Sequence, residues 1–293
     1  MTSETFLLDT IPVGVRDMDG IDVNLLLALS VNVGWPHRAE DWEFMREVGH
    51  GLVVTDEAER VHGSAMWFPQ GEDFATIGMV ITSSRLQTYG AAQWLMSHVL
   101  ERAQGRMLGL HATSQSYRLF RSLGFVNEGK IYLRQGRAIL PPELPPADDA
   151  EVRELLPGGR ESIRELDRVA SGLDRHRLFE ALASRSTGTV LVRQGRIEAC
   201  ALKRAFGRGS VIGPVFAANE ADGLSVIRPL IAEHTGQFLR IDIDQESGPL
   251  ADFLEQSGLP VRDKVTRMSL GRPWPFSSQG VTHQYALASH ATG

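Results

Sequence analysis

Stretches in which apolar residues recur every three or four positions alternate along this chain with shorter runs rich in β-branched and aromatic residues. Asp22 to Val33 has helical spacing, with Asp19 or Asp22 placed to cap its start, and Ala39 to Val48 predicts a second short helix. Gly51 to Thr55 and Arg60 to Phe68 read as strands joined by a turn through Asp56-Glu57-Ala58-Glu59, and Phe74 to Thr82 reads as a third strand. Between Tyr89 and Gln104 the apolar side chains fall at Ala92, Leu95, Met96, Val99 and Leu100, which predicts a helix. A strand over Met107 to Ala112, a helix over Ser116 to Leu123 and a strand over Val126 to Arg134 complete the first half.

Leu140 to Asp149 breaks the pattern. Its four prolines remove backbone donors and fix φ, so the segment predicts a semi-rigid linker. Beyond it the order of elements returns. Helical material spans Ser162 to Ser184, interrupted near Asp174-Arg175-His176-Arg177, and strands follow over Thr189 to Val192, Ile197 to Ala205 and Ser210 to Phe216. A helix over Ala221 to Gly236, a strand over Phe238 to Asp244, a helix over Pro249 to Ser257 and a strand over Val261 to Leu270 close the second set. The same order occurring twice implies a duplicated α/β (α+β) architecture: a unit over residues 1–139, a linker over 140–149 and a second unit over 150–272. Residues 273–293 are small and polar and are expected to form a poorly ordered tail.

Composition narrows the function classes. Over 293 residues, 42% are hydrophobic and 23% charged, a globular balance, and the net charge of -6 argues against a nucleic-acid partner. Arg102, Arg106, Arg118, Arg121 and Lys130 cluster in sequence, but at this spacing they read as a solvated helix face rather than a polyanion site. The one cysteine, Cys200, lies in the run Ile197-Glu198-Ala199-Cys200-Ala201-Leu202, which favours a buried thiol and excludes an internal disulfide or a multi-cysteine metal site. No metal is expected. The first residues lack a signal-peptide pattern and no apolar run is long enough to span a bilayer, so a cytoplasmic protein without a membrane partner is expected, as a monomer or homodimer.

The chemistry concentrates between residues 76 and 125. The strand-like Thr76-Ile77-Gly78-Met79-Val80-Ile81-Thr82 is followed by a polar turn and then by Gln87-Thr88-Tyr89-Gly90-Ala91-Ala92, where a helix begins. Small residues there let backbone N–H groups approach a ligand, and a helix N-terminus favours an anion such as a pyrophosphate. Further on come Leu110-His111-Ala112-Thr113 and Leu119-Phe120-Arg121-Ser122-Leu123-Gly124-Phe125. There is no Gly-x-Gly-x-x-Gly unit for a dinucleotide and no Gly-x-Ser-x-Gly elbow for a hydrolase.

With both segments in register, the chain resembles the GCN5-related N-acetyltransferase (GNAT) family over about residues 10–138. The resemblance implies that Val80, Ile81 and Thr82 lie on the strand whose backbone pairs with pantetheine. It also implies that Gln87, Thr88, Tyr89, Gly90, Ala91 and Ala92 form the pyrophosphate loop, and that Thr113 and Phe120 border the cofactor. A narrower pattern, Ile77-Gly78-Met79-Val80 with Gly34-Trp35 upstream, is similar to tandem members, in which two such folds lie side by side, each a mixed, mostly antiparallel sheet flanked by helices. Ile212-Gly213-Pro214-Val215 matches the equivalent strand of the second half. Acidic residues in Asn219-Glu220-Ala221-Asp222 stand where a pyrophosphate would lie, so no coenzyme A is expected there.

The implied activity is N-acyl transfer, with acetyl-CoA or another acyl-CoA as co-substrate and a small amine or amino-acid-like acceptor. The family's usual acid is a tyrosine at the position of Phe120, which has no proton to donate. Tyr117, one helical turn earlier, and His111, at a strand end, are the substitutes, and transfer by positioning alone is a third possibility. Trp35 and Asp41, beside Trp42, together with Asp242 and Asp244, offer aromatic and carboxylate groups for an ammonium-bearing acceptor. Non-catalytic acyl-CoA binding, O-acylation and acyl-CoA decarboxylation stand as alternatives.

Overall fold

The computed structural model describes residues 5–8, 11–83, 90–145, 149–275 and 281–293. The first half contains β1 (Thr5–Leu8), β2 (Ile11–Asp17), α1 (Val23–Asn32), α2 (Ala39–Val48), β3 (His50–Asp56), β4 (Val61–Gln70) and β5 (Phe74–Thr82). It continues through α3 (Ala91–Arg102), β6 (Met107–Ala112), α4 (Tyr117–Ser122) and β7 (Val126–Arg137). The second half runs through β8 (Ala150–Glu154), α5 (Arg160–Ser171), α6 (His176–Arg185), β9 (Thr187–Arg193), β10 (Arg196–Phe206) and β11 (Gly209–Ala217). Then follow α7 (Glu220–Glu233), β12 (Phe238–Ile243), α8 (Pro249–Gln256), β13 (Val261–Leu270) and β14 (His283–Ala286).

The expected elements form, and β2 and β8 add an opening strand to each half. The predicted helix over 89–104 begins at Ala91 and buries Ala91, Leu95, Met96 and Val99, one stripe at helical spacing. Cys200 is fully buried, and burial pushes its thiol up out of the nucleophilic range.

The two α/β units are fused. Among the described residues the main sheet runs β1-β2-β3-β4-β5-β6-β13-β7-β12-β11-β10-β9-β8, mostly antiparallel, with β5–β6 and β11–β12 parallel. The last long strand of each half thus sits with the other half. β13 pairs with β6 from Thr266↔Ala112 to Leu270↔Leu108, while β7 pairs with β12 from Phe238↔Arg137 to Ile243↔Tyr132. Such an exchange preserves ladder hydrogen bonds and leaves no unpaired edge at the junction. Ile131, Leu133, Val265 and Leu287 pack as a small core over the exchanged strands.

The expectation of a disordered tail is overturned for residues 281–293. Leu287, Ala288 and Ala291 are buried, and the backbone carbonyls of Ala288, His290, Ala291 and Thr292 accept hydrogen bonds from Arg204, His111, Thr76 and Gln70. The sequence looks polar here because small residues, not large apolar ones, fill the narrow space. Gly78 shows how narrow that space is: a Cβ added to it would lie 2.6 Å from the Ala291 Cβ and 2.8 Å from its Cα.

Candidate active site

β5 and β6 pair in parallel only from Phe74↔Met107 to Ile77↔Leu110. Beyond Ile77, β5 keeps its bonds to β4, and its other edge is released from β6. Met79 drives the departure: it holds a left-handed backbone (φ 52) at an irregularity in the β4–β5 ladder, and its carbonyl accepts the Ser64 hydroxyl at 2.8 Å. The released edge opens on a cavity of about 810 Å³.

One end of the cavity is built by the first half. Val80, Ile81 and Thr82 line it, as do Gly90, Ala92, Thr113 and Phe120. Gly90 precedes α3 with a left-handed backbone (φ 74), and no side chain among the described residues caps the first-turn N–H groups of the helix. A strand edge that has parted from β6 and a helix N-terminus bordering one space fit an acyl-CoA, the strand for pantetheine amides and the helix for pyrophosphate. Ala91 is buried beneath the helix and does not line the cavity. Gln87, Thr88 and Tyr89 lie outside the described residues.

The other end draws on both halves and on the C-terminal segment. Trp35 and His37 come from the α1–α2 connection, Gln135 from β7, Phe206, Arg208 and Arg240 from the second half, Asp263 from β13, and Ser289 and His290 from the last residues. His37 is packed edge-on by Trp35, Trp42 and Phe206, and burial, opposed in part by Asp41, pushes it down to about 4. Burial likewise takes His290 down to about 4. Its Nε2 lies 3.2 Å from the Asp242 carboxylate, and Arg240 Nη2 lies 3.2–3.3 Å from both ring nitrogens.

His111 reaches the seam between these walls. Its Nδ1 lies 2.8 Å from the His290 carbonyl, which only accepts, so this nitrogen carries the proton. Burial, then the neighbouring charges of His290 and Arg267, holds His111 well below the ordinary histidine value. Its Nε2 is consequently a bare lone pair, buried and without a partner among the described residues. Tyr117 does not line the cavity: its ring packs on the first-half core, with the Lys130 ammonium 5.9 Å from the ring centre. One turn along α4 it is Phe120 that faces inward.

Of the three expected acceptor carboxylates, Asp41 and Asp242 are spent on the protein itself and Asp244 stands outside the cavity. Asp41 accepts Arg38 Nη2 at 2.8 Å and the Gly207 N–H at 3.0 Å. Burial opposes its ionisation, but these bonds leave its carboxyl below the usual range. Asp242 is buried and grips Arg240 Nε and Nη2 at 2.9 and 2.7 Å, and Asp244 lies 3.8 Å from Arg267. None of the three lines the cavity, whereas Trp35 does. Sequence reading missed His37, Phe206, Arg208, Arg240, Asp263 and His290. Only His37, two residues from Trp35, carried a signal.

The second half repeats the splay and fills it. β11 and β12 pair over Ser210↔Leu239 to Ile212↔Ile241, and past Gly213 the gap is taken by β14, which pairs Val215↔Ala286 and Ala217↔His283. The Leu287 N–H completes the bridge to the Asp242 carbonyl at 2.9 Å. Of the acidic residues expected to repel pyrophosphate, Asp222 pairs with Arg193 at 2.6 Å and Glu220 accepts the Leu250 N–H at 3.0 Å.

Comparisons with known proteins agree with this duplicated frame. Residues 28–125 match a family model described as the acetyltransferase (GNAT) family, and residues 163–282 match another described as an acetyltransferase (GNAT) domain. Among curated proteins none matches the sequence. A Pyrococcus horikoshii protein classed provisionally as an acetyltransferase superposes with a TM-score of 0.78 at 20% identity, covering 96% of each chain. A tandem GNAT protein from the clavulanic acid biosynthesis pathway gives 0.64 at 12% identity, over 88% of this chain and 98% of its own. A GCN5-related N-acetyltransferase from Sphaerobacter thermophilus gives 0.64 at 15%, over 88% and 95%. At these identities the likeness is one of fold.

Proposed function

Because the chain belongs to the GCN5-related N-acetyltransferase family, with a domain of that family in each half, we propose that it transfers an acyl group, acetyl first among them, from coenzyme A to the amine of a small amino-acid-like acceptor. Both substrates are held at once. The observation that supports this reading is His111. A neutral imidazole with a bare, partnerless Nε2 borders a cavity that has a released strand edge at one end and a polar, aromatic wall at the other.

The roles follow from the geometry. Val80 to Thr82 offer backbone groups to the pantetheine arm and an N–H to the thioester oxygen, and Gly90 with α3 takes the pyrophosphate. As the amine nitrogen bonds to the acyl carbon and the carbon–sulfur bond breaks, the electron pair leaves with sulfur. One proton passes from nitrogen to His111 Nε2. An imidazolium held well below its ordinary value gives up that proton readily, so the same group returns it to the thiolate. Phe120 then need only pack, and no tyrosine acid is required.

Thiol release from acetyl-CoA in the presence of an amine panel, with product masses, tests the reading. N-acylated product is expected. Coenzyme A binding with no amine turned over would defeat it and favour a non-catalytic acyl-CoA binder, while O-acylated product or loss of carbon dioxide would redirect it.

A further inference from the structure

Building on the acyl-transfer reading, we infer that the acceptor bears a carboxylate beside its amine, and that Arg208, assisted by Arg240, is the subsite that holds it. Charge accounting around the cavity points this way. An ammonium-bearing acceptor without an acid group would need carboxylates, and Asp41 and Asp242 are committed to Arg38 and Gly207 and to Arg240, while Asp244, half-exposed near Arg267, does not line the cavity. The free hydrogen-bonding capacity is cationic. Arg208 lines the cavity, is exposed, and has no partner among the described residues. Arg240 spends Nε and Nη2 on Asp242 and His290, and its Nη1 makes no bond among the described residues.

Arg240 is held in place, and the turn that carries Arg208 is anchored. Arg208 belongs to the two-residue turn between β10 and β11, whose neighbour Gly207 is tied by its N–H to Asp41 at 3.0 Å. Arg240 sits opposite Gln135 in the β7–β12 ladder, so both side chains rise from the same face, and its guanidinium lies 5.6 Å from the centre of the Phe206 ring. A planar fork held in this way suits a carboxylate.

Asp263 is the carboxylate that does line the cavity. It lies close enough to His290 to raise that group's proton affinity, and the His290 carbonyl is bonded to His111. The wall therefore offers free guanidinium capacity on β12 and in the β10–β11 turn together with one carboxylate on β13, a mixed charge that complements a zwitterion. A polyamine would meet an uncompensated guanidinium and is disfavoured.

Calorimetric titration into coenzyme A-saturated protein tests this, using serine, leucine, lysine and phenylalanine, each against its decarboxylated amine and its carboxamide. The carboxylate-bearing member of a pair is expected to bind at least tenfold tighter. R208A, a change at an exposed turn, is expected to erase most of that preference and leave coenzyme A affinity unchanged. Equal binding within every pair, binding by no carboxylate-bearing member, or an unchanged preference in R208A would overturn the inference. Turnover in parallel separates the two claims: selective binding without acyl transfer leaves the carboxylate subsite standing and defeats the acyl-transfer reading alone, and turnover of amines without selectivity does the reverse.

Discussion

The imidazole of His111 donates through Nδ1 to the carbonyl of His290 across 2.8 Å, joining positions 179 residues apart. That one bond fixes the tautomer of the only titratable side chain that borders the strand-edge end of the cavity and bonds to the acceptor wall, among the described residues. It also makes the C-terminal segment a part of the site.

If His111 is the base, its low proton affinity has a measurable sign. A group held below its ordinary value stays unprotonated and active as pH falls from neutrality, so kcat is expected to hold flat through pH 6.5 and to fall only at clearly lower pH. H111A is expected to lower kcat by about 10²- to 10⁴-fold with coenzyme A affinity retained. A pH–rate profile of both proteins, with calorimetry for coenzyme A, checks this. An acid limb centred at or above 6.5 would assign the titration elsewhere.

The bond uses the backbone of residue 290, so the side chain and the segment separate experimentally. H290A keeps the carbonyl and so the tautomer, but it removes one of the groups that hold His111 down, so it is expected to keep a single acid limb and shift it towards higher pH. G78A places a methyl against Ala291, where the backbone Cα sits at 2.8 Å and cannot swing aside as a side-chain end would. Overpacking of this kind costs about 1–3 kcal/mol. G78A is therefore expected to destabilise by about that amount in denaturant titrations, and to depress kcat more than H290A by displacing the His290 carbonyl. A G78A protein with wild-type stability and rate would show that the segment is free to move.

The frame was legible because it is written in local periodicity. The apolar stripe of α3 and the β runs on both sides of it follow their own spacing, and residues 77–82, 90, 92 and 119–120 mark one end of the cavity. The far wall was not legible because it is made by distance. Arg240 and Gln135 become neighbours only when β7 crosses to the second half, and Asp263 arrives only because β13 crosses to the first. Asp41 and Asp242 looked like ligands for an ammonium because sequence shows the carboxylates and hides the arginines that occupy them. The last residues looked like a tail because Ser289-His290-Ala291-Thr292 packs through small size and carbonyl oxygens, which leave no mark in hydrophobic patterning.

Tyr117 and Phe120 share a helix and differ in what they face. Y117F is expected to leave kcat within about twofold, since its hydroxyl is not at the cavity and surface-facing changes of this kind are near neutral. F120A removes a side chain that is only 4% exposed and packs on Phe125. It is expected to cost about 3–5 kcal/mol of stability and to raise the KM for acetyl-CoA. Steady-state kinetics on the pair decide the matter: a large kcat loss in Y117F would restore a tyrosine acid and displace His111 from the second half of the proton transfer.

Asp41 joins the start of α2 to the turn that carries Arg208. D41N removes the charge that accepts from Arg38 and from Gly207. Arg38 is about one-third exposed, with 35% of its side chain in solvent, so the cost is moderated by water and is expected near about 2 kcal/mol at neutral pH. The folded-state carboxyl lies below the ordinary aspartate value, so its contribution is full above about pH 4 and is lost as pH falls through the lowered folded value. The stability gap between wild type and D41N should accordingly be constant from pH 5 to 8 and close towards pH 3 in urea titrations. Loosening the turn should also raise the acceptor KM several-fold and leave that for acetyl-CoA unchanged. A gap that widens on acidification would mean that Asp41 is protonated in the folded protein, and a rise in the acetyl-CoA KM would place the turn at the wrong end of the cavity.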